Sequence, residues 1–162
     1  MRILIVDDSE FSREVVRRTM AEYGECVTAD DGAEALEAFS EALEAARPFH
    51  LVFMDILMPR MDGHETLQAM REMEREREAE HPVIAVMITA LDQDVDMLRS
   101  FVRENASAYI VKPLTREKII REMQRVDLLQ QDEDGSMRLA ATEMSLDDLL
   151  LDMREQGLLD DD

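Results

Sequence analysis

The chain has 162 residues, 38 of them acidic and 18 basic, for a formal charge of −20 at pH 7. Such a chain repels phosphate backbones and offers no polybasic stretch to an anionic bilayer, which argues against unaided nucleic-acid binding and attachment to a membrane surface. An apolar fraction of 46% is enough for one core of ordinary size with some chain left over. Cys26 is the only cysteine, so an intrachain disulfide and a cysteine-based zinc site are both excluded, and a reducing, cytoplasmic setting is expected. The first apolar run meets Asp7 and Asp8 too early to read as a signal peptide. Runs such as 83–88 are strand-sized, far below a membrane span.

Short apolar runs alternate with longer amphipathic ones. A strand over 3–6 is followed by a helix in which Phe11, Val15, Val16, Met20 and Tyr23 share the predicted inner face, with Asp8 or Ser9 placed to cap it. A second strand over 26–29 precedes a helix whose start is marked by Asp31 and Gly32 and whose stripe is Ala33, Leu36, Phe39, Leu43 and Ala46. The third strand, over 49–54, runs straight into Asp55. Pro59 and Gly63 punctuate the next loop, after which Leu67, Met70 and Met73 form the stripe of a third helix. Beyond Met73 the stripe stops, and 72–80 alternates Glu and Arg at i, i+3 spacing, which predicts a solvated extension. A fourth strand over 83–88, a helix carrying Val95, Leu98, Phe101 and Val102, a fifth strand over 108–111 and a helix with Ile119, Ile120, Met123 and Val126 complete the series.

Strands separated by helices imply an α/β domain with a doubly wound parallel sheet, because parallel neighbours need crossover connections that place helices on both faces. In such sheets ligands bind beyond the carboxyl ends of the strands. There the sequence places Asp7 and Asp8 after the first strand, Asp55 after the third, Thr89 after the fourth and Lys112, then Pro113, after the fifth. Three gathered carboxylates resist joint ionisation unless a cation intervenes, and an oxygen-rich ligand set suits a hard divalent ion such as Mg²⁺. A hydroxyl and an ammonium aimed at the same point suit a phosphoryl group, and a carboxylate can itself serve as the nucleophile. Lys112 stands out, since the chain has 16 arginines and only two lysines.

These residues resemble the receiver domain of two-component response regulators, in its single-domain, chemotaxis-regulator-like form. Val6-Asp7-Asp8-Ser9 is similar to the family's acidic pair, 54–59 with Asp62-Gly63 to its phosphoacceptor segment, Thr89-Ala90 to its switch threonine, Lys112-Pro113 to its lysine and following proline, and Tyr109 to its switch aromatic. The resemblance implies a flavodoxin-like five-stranded sheet of order 2-1-3-4-5 over residues 1–126. It implies that Asp55 accepts a phosphoryl group from a sensor histidine kinase or phosphotransfer protein. It also implies that Asp8, Asp55 and the Leu57 backbone carbonyl ligate Mg²⁺, with Asp7 acting through water. Thr89 and Lys112 would contact the phosphoryl oxygens, Tyr109 would swing inward behind Thr89, and the peptide before Pro113 would be cis. Signalling would run through protein contacts made by the helix around 95–102, the fifth strand and the last receiver helix, with no catalytic turnover beyond self-directed transfer and hydrolysis. Leu57 and Leu91 stand where relatives carry polar groups at the pocket mouth, which implies a long-lived phosphorylated state. The stretch between Asp55 and Thr89 is about one helical turn longer than the family's pattern.

Residues 127–162 hold 12 acids and two arginines, the wrong charge and too little chain for a DNA-binding output domain. Within them 132–135 reads as a linker, and Ser145 opens a capping box ahead of a short amphipathic helix around 146–156 carrying Leu146, Leu149, Leu150 and Met153. The alternative is a disordered acidic tail. His50, His64 and His81 are scattered and do not suggest a metal site. Two rival functions remain: a receiver-fold adaptor that acts without phosphorylation, and an aspartate-nucleophile phosphatase, which lacks its second aspartate because Leu57 stands there. Homodimerisation is left open.

Overall fold

In the computed structural model the residues described are 1–90 and 106–139. The chain divides after Val126 into two units, Met1–Val126 and Asp127–Asp162. In the first, β1 (Arg2–Val6), β2 (Glu25–Ala29), β3 (Leu51–Asp55), β4 (Ile84–Thr89) and β5 (Ala108–Val111) form one sheet of order β2-β1-β3-β4-β5. Every pairing in it is parallel. The helices are α1 (Glu10–Met20), α2 (Gly32–Glu44), α3 (Gly63–Glu76) and α4 (Arg116–Arg125). The predicted helix around 95–102 lies outside the described residues.

The strands read as unbroken apolar runs because both faces of the sheet are covered. Leu4, Val6, Val52, Met54, Ala85 and Met87 point to one face, where they join Ala35 and Phe39 of α2 and Leu67 and Met70 of α3 in a continuous core. Their alternates Ile3, Ile5, Phe53, Ile88 and Ile110 are likewise buried, with Val16 and Met20 of α1 and Ile119 and Met123 of α4. Side-chain oxygens of Ser9, Asp31, Asp62 and Thr115 cap the four helices, and Asp62 with Glu65 makes a full capping box.

Three details differ from the sequence reading. In α2 the buried line is Gly32, Ala35, Phe39 and Ala42, with Leu36 and Leu43 half-buried, whereas Ala33 and Ala46, expected on that face, are exposed. Of the face expected for α1, Val16, Met20 and, just beyond the helix, Tyr23 are buried, but Ser12 and Thr19 complete it in place of Phe11 and Val15, and Phe11 is left 77% exposed. In α3 the acidic stretch is not uniformly solvated, because Glu74 is 5% exposed. It pairs with Arg71 at 2.7 Å and accepts the Val83 N–H at 2.6 Å, tying the end of the helix to the start of β4. Arg77 reaches across to Glu44 of α2 instead of pairing along its own helix.

In the second unit, β6 (Leu129–Gln131) and β7 (Met137–Leu139) form an antiparallel hairpin. Residues 132–135, read from sequence as a linker, are its turn. Asp134 accepts both the backbone N–H and the hydroxyl of Ser136, and Gly135 takes a φ of +85°, a conformation that other residues rarely adopt. The expected helix around 146–156 lies outside the described residues. Among the described residues no helix is long and apolar enough to cross a membrane.

Glu74→Ala strands the buried Val83 N–H and removes the ion pair at 2.7 Å to Arg71. It is expected to cost about 1–3 kcal/mol in urea unfolding, whereas Glu72→Ala, on the exposed side of the same helix, stays within about 0.5 kcal/mol.

Candidate functional site

Parallel register sets the site. Val6 pairs with Ala29 on one side and Met54 on the other, Asp55 pairs with Ile88, and Thr89 pairs with Val111. The strand ends are therefore level, and Asp7, Asp8, Asp55, Thr89 and Lys112 emerge on one rim. One oxygen from each of Asp7, Asp8 and Asp55 lies within 4.8 Å of the others. Asp7 is 1% and Asp55 3% exposed, whereas Asp8 faces solvent.

Lys112 reaches both buried acids, with Nζ 3.3 Å from Asp7 Oδ2 and 3.5 Å from Asp55 Oδ1. Burial pushes the Asp55 carboxyl up to about 7, with further upward pressure from Asp7 and Asp8 that Lys112 only partly offsets. Asp7 is raised as well, first by burial, against the pull of the Ser9 N–H and Lys112. Burial opposes the charge on Lys112, but the two facing carboxylates outweigh it and its pKa is raised. One ammonium thus faces three acids.

The donor set fits a hard divalent cation: three carboxylates, two of them largely removed from water, with Asp7 Oδ2 buried and met by the Lys112 ammonium at 3.3 Å. Asp7 Oδ1 is held by the Ser9 N–H at 2.8 Å. The arrangement leaves the acids short of positive charge, which is what an ion would supply.

Thr89 is buried, and its hydroxyl donates to the Ala90 carbonyl at 3.1 Å, while the Lys112 N–H donates to the Thr89 carbonyl at 2.7 Å. The Lys112–Pro113 peptide is cis. Tyr109 is half-buried against the core. The Leu57 side chain is 53% exposed, and Leu91 lies outside the described residues. Asp31 and Arg60 join the start of α2 to the loop after β3 at 2.6 Å.

One supporting residue escaped the sequence reading, and a second was seen without its structural reason. Arg13, one turn into α1, donates to the Asp7 backbone carbonyl at 2.6 Å and so fixes the end of β1. No local pattern marks that bond. Gly63 opens α3 directly behind the end of β3, where an added Cβ would strike the Asp55 carbonyl and the Ile56 Cα. The Asp62-Gly63 pair was visible in the sequence, but its steric reason was not.

Comparison with known proteins adds an independent result. A family model described as the response regulator receiver domain matches residues 3–124. The two-component response regulator ORR41 of Oryza sativa subsp. japonica is 34% identical over 119 residues, covering 74% of this chain and 88% of that protein. Probable histidine kinase 2 of Oryza sativa subsp. indica is 30% identical over 130 residues, and there the chain spans only 12% of the relative's length. The crystallised chemotaxis protein CheY4 of Vibrio cholerae superposes with a TM-score of 0.62 at 31% identity, covering 77% of this chain and 97% of that one.

Asp55→Asn removes one of three crowded negative charges while keeping the shape of the side chain. Metal-free protein at pH 8 is expected to gain about 1–3 kcal/mol of stability from it, read by urea unfolding in the presence of a chelator.

Proposed function

Because the chain belongs to the response regulator receiver domain family, with residues 3–124 matched, we propose that Asp55 is the phosphoacceptor of a phosphorylation-switched signalling protein. The observation that carries the reading is the buried Asp55 carboxylate beside Asp7, Asp8 and Lys112. A passive scaffold gains nothing from burying acids that repel one another, which disfavours the adaptor alternative.

In this reading an Asp55 oxygen attacks the phosphorus of a phosphohistidine on a sensor histidine kinase or phosphotransfer protein. The P–N bond breaks, the imidazole leaves with the electron pair and takes a proton from solvent, and an acyl phosphate remains on Asp55. Asp8, Asp55 and the Leu57 carbonyl would hold Mg²⁺, with Asp7 acting through water, and the ion would neutralise charge on the phosphoryl oxygens. Lys112, already 3.5 Å from Asp55 Oδ1, pairs with one phosphoryl oxygen. The Thr89 hydroxyl gives up its bond to the Ala90 carbonyl and donates to another, and Tyr109 moves inward behind it. Phosphorylation adds about two negative charges and biases the domain between two conformations.

The leucine at position 57 brings no polar group to place a hydrolytic water, which supports a long-lived acyl phosphate. Residues 1–126 form the receiver, and 127–162 an acidic extension, with the signal passed to a protein partner. A cytoplasmic location fits the single cysteine, Cys26.

Incubation with acetyl phosphate and Mg²⁺ is expected to add one phosphoryl group per chain by intact mass, with none on Asp55→Asn. Lys112→Arg, which exchanges a compact ammonium for a planar fork, is expected to lower the labelling rate by about tenfold or more. Equal labelling of wild type and Asp55→Asn would sink the reading.

A further inference from the structure

A capped helix commonly carries an acid three residues after its cap, where the carboxylate reaches back to a free backbone N–H and suits the positive end of the helix. α2 and α3 follow that pattern. Glu34 stands three after the cap Asp31 and accepts the Asp30 N–H at 2.7 Å, and Glu65 stands three after Asp62 and accepts its N–H at 3.0 Å. In α4, capped by Thr115, the same position holds Lys118, whose charge opposes the helix dipole. It is one of only two lysines among 18 basic residues, and the other is Lys112.

The Lys118 side chain turns to the end of β5. Its Nζ donates to the Val111 carbonyl at 3.0 Å and to the Pro113 carbonyl at 2.9 Å, the residues on either side of Lys112. β5 is an edge of the sheet, and among the described residues no strand lies beyond it to supply a donor. In a trans peptide the N–H and C=O point in opposite directions. The Lys112 N–H bonds the Thr89 carbonyl of β4 at 2.7 Å on the sheet side, and the Val111 carbonyl of the same trans peptide meets Lys118 on the outer side. The peptide that leads into Lys112 is thus held from both sides, and the ammonium that holds its outer side also anchors the Pro113 carbonyl. A compact ammonium suits the task because three donors radiate from one atom, whereas a guanidinium presents a planar fork.

We infer that Lys118 is a positioning residue for phosphoryl transfer: by clamping the two carbonyls that flank Lys112, it sets the backbone from which the Lys112 ammonium reaches Asp55. The inference rests on the reading of Asp55 as the phosphoacceptor and adds to it a residue that touches neither the metal site nor the phosphoryl group. It acts on the rate of transfer and not on the metal, because the carboxylates that would hold Mg²⁺ follow β1 and β3, on the far side of β4.

Lys118→Met keeps an apolar stem and removes the donors. In the full chain it is expected to slow labelling by acetyl phosphate at saturating Mg²⁺ about fivefold or more, with the affinity for Mg²⁺ by calorimetric titration within about twofold of wild type. Residue-level amide exchange should quicken about tenfold or more at Lys112 and stay within about threefold at Val6 and Met54, which shows that the rest of the sheet is intact. Arg121→Gln removes an equal charge from the same helix and leaves both carbonyls bonded, so labelling should change less than about twofold. Unchanged labelling in Lys118→Met, a Mg²⁺ affinity that falls in step with the rate, unaltered exchange at Lys112, or equal slowing in Arg121→Gln would each overturn the inference while leaving the phosphoacceptor reading in place. A wild type that acetyl phosphate leaves unlabelled would overturn the phosphoacceptor reading itself, and the inference with it.

Discussion

Three carboxylates meet at the mouth of this sheet with one ammonium between the two that are buried, and the rest of the site is arranged around that imbalance. Burial makes it acute. In water the repulsion would be largely screened, but Asp7 and Asp55 are withdrawn from solvent, where like charges interact strongly and Asp55 is pushed up to about 7. Lys112 lessens the repulsion without cancelling it. In the proposed function a divalent cation would supply the charge the acids lack, and a phosphoryl group would take up the ammonium and the Thr89 hydroxyl.

Holding such a cluster requires a frame that does not yield. Parallel pairing levels the ends of β1, β3, β4 and β5, so that each strand delivers its polar residue to the same edge. Contacts just behind the rim then fix the backbone: Arg13 to the Asp7 carbonyl, the Lys112 N–H to the Thr89 carbonyl, and the close seating of Gly63 against Asp55 and Ile56. Both apolar layers press on the sheet from either side, so moving one strand end disturbs the core beneath it.

The architecture and the site were legible in the sequence because both rest on short-range patterns. Continuous apolar runs mark buried strands, and each polar site residue stands at the end of one. What escaped depends on information that periodicity does not carry. Spacing alone placed Phe11 inward beside Val16 and Met20, but the helix buries Ser12 and Thr19 with those two and leaves Phe11 outside, a choice made by the strands it packs on. Glu74 looked like one more charge in a solvated run and is instead buried, because it finds the Val83 N–H nine residues away. The hairpin at 129–139 hid behind a turn sequence, DEDG, that reads equally well as a linker when the strands are only three residues long.

Charge divides the chain as well. Residues 127–162 contribute −10 of the −20, so the acidity that argues against nucleic-acid binding comes as much from the extension as from the receiver. The part that matters for chemistry is the small buried fraction at the rim, and its most direct test is calorimetric titration of Mg²⁺ into the full chain. One ion should bind per chain, with affinity falling by about tenfold or more in either Asp8→Asn or Asp55→Asn. Absence of Mg²⁺ binding, or binding that both variants leave unchanged, would contradict the view that these carboxylates are assembled to hold a cation.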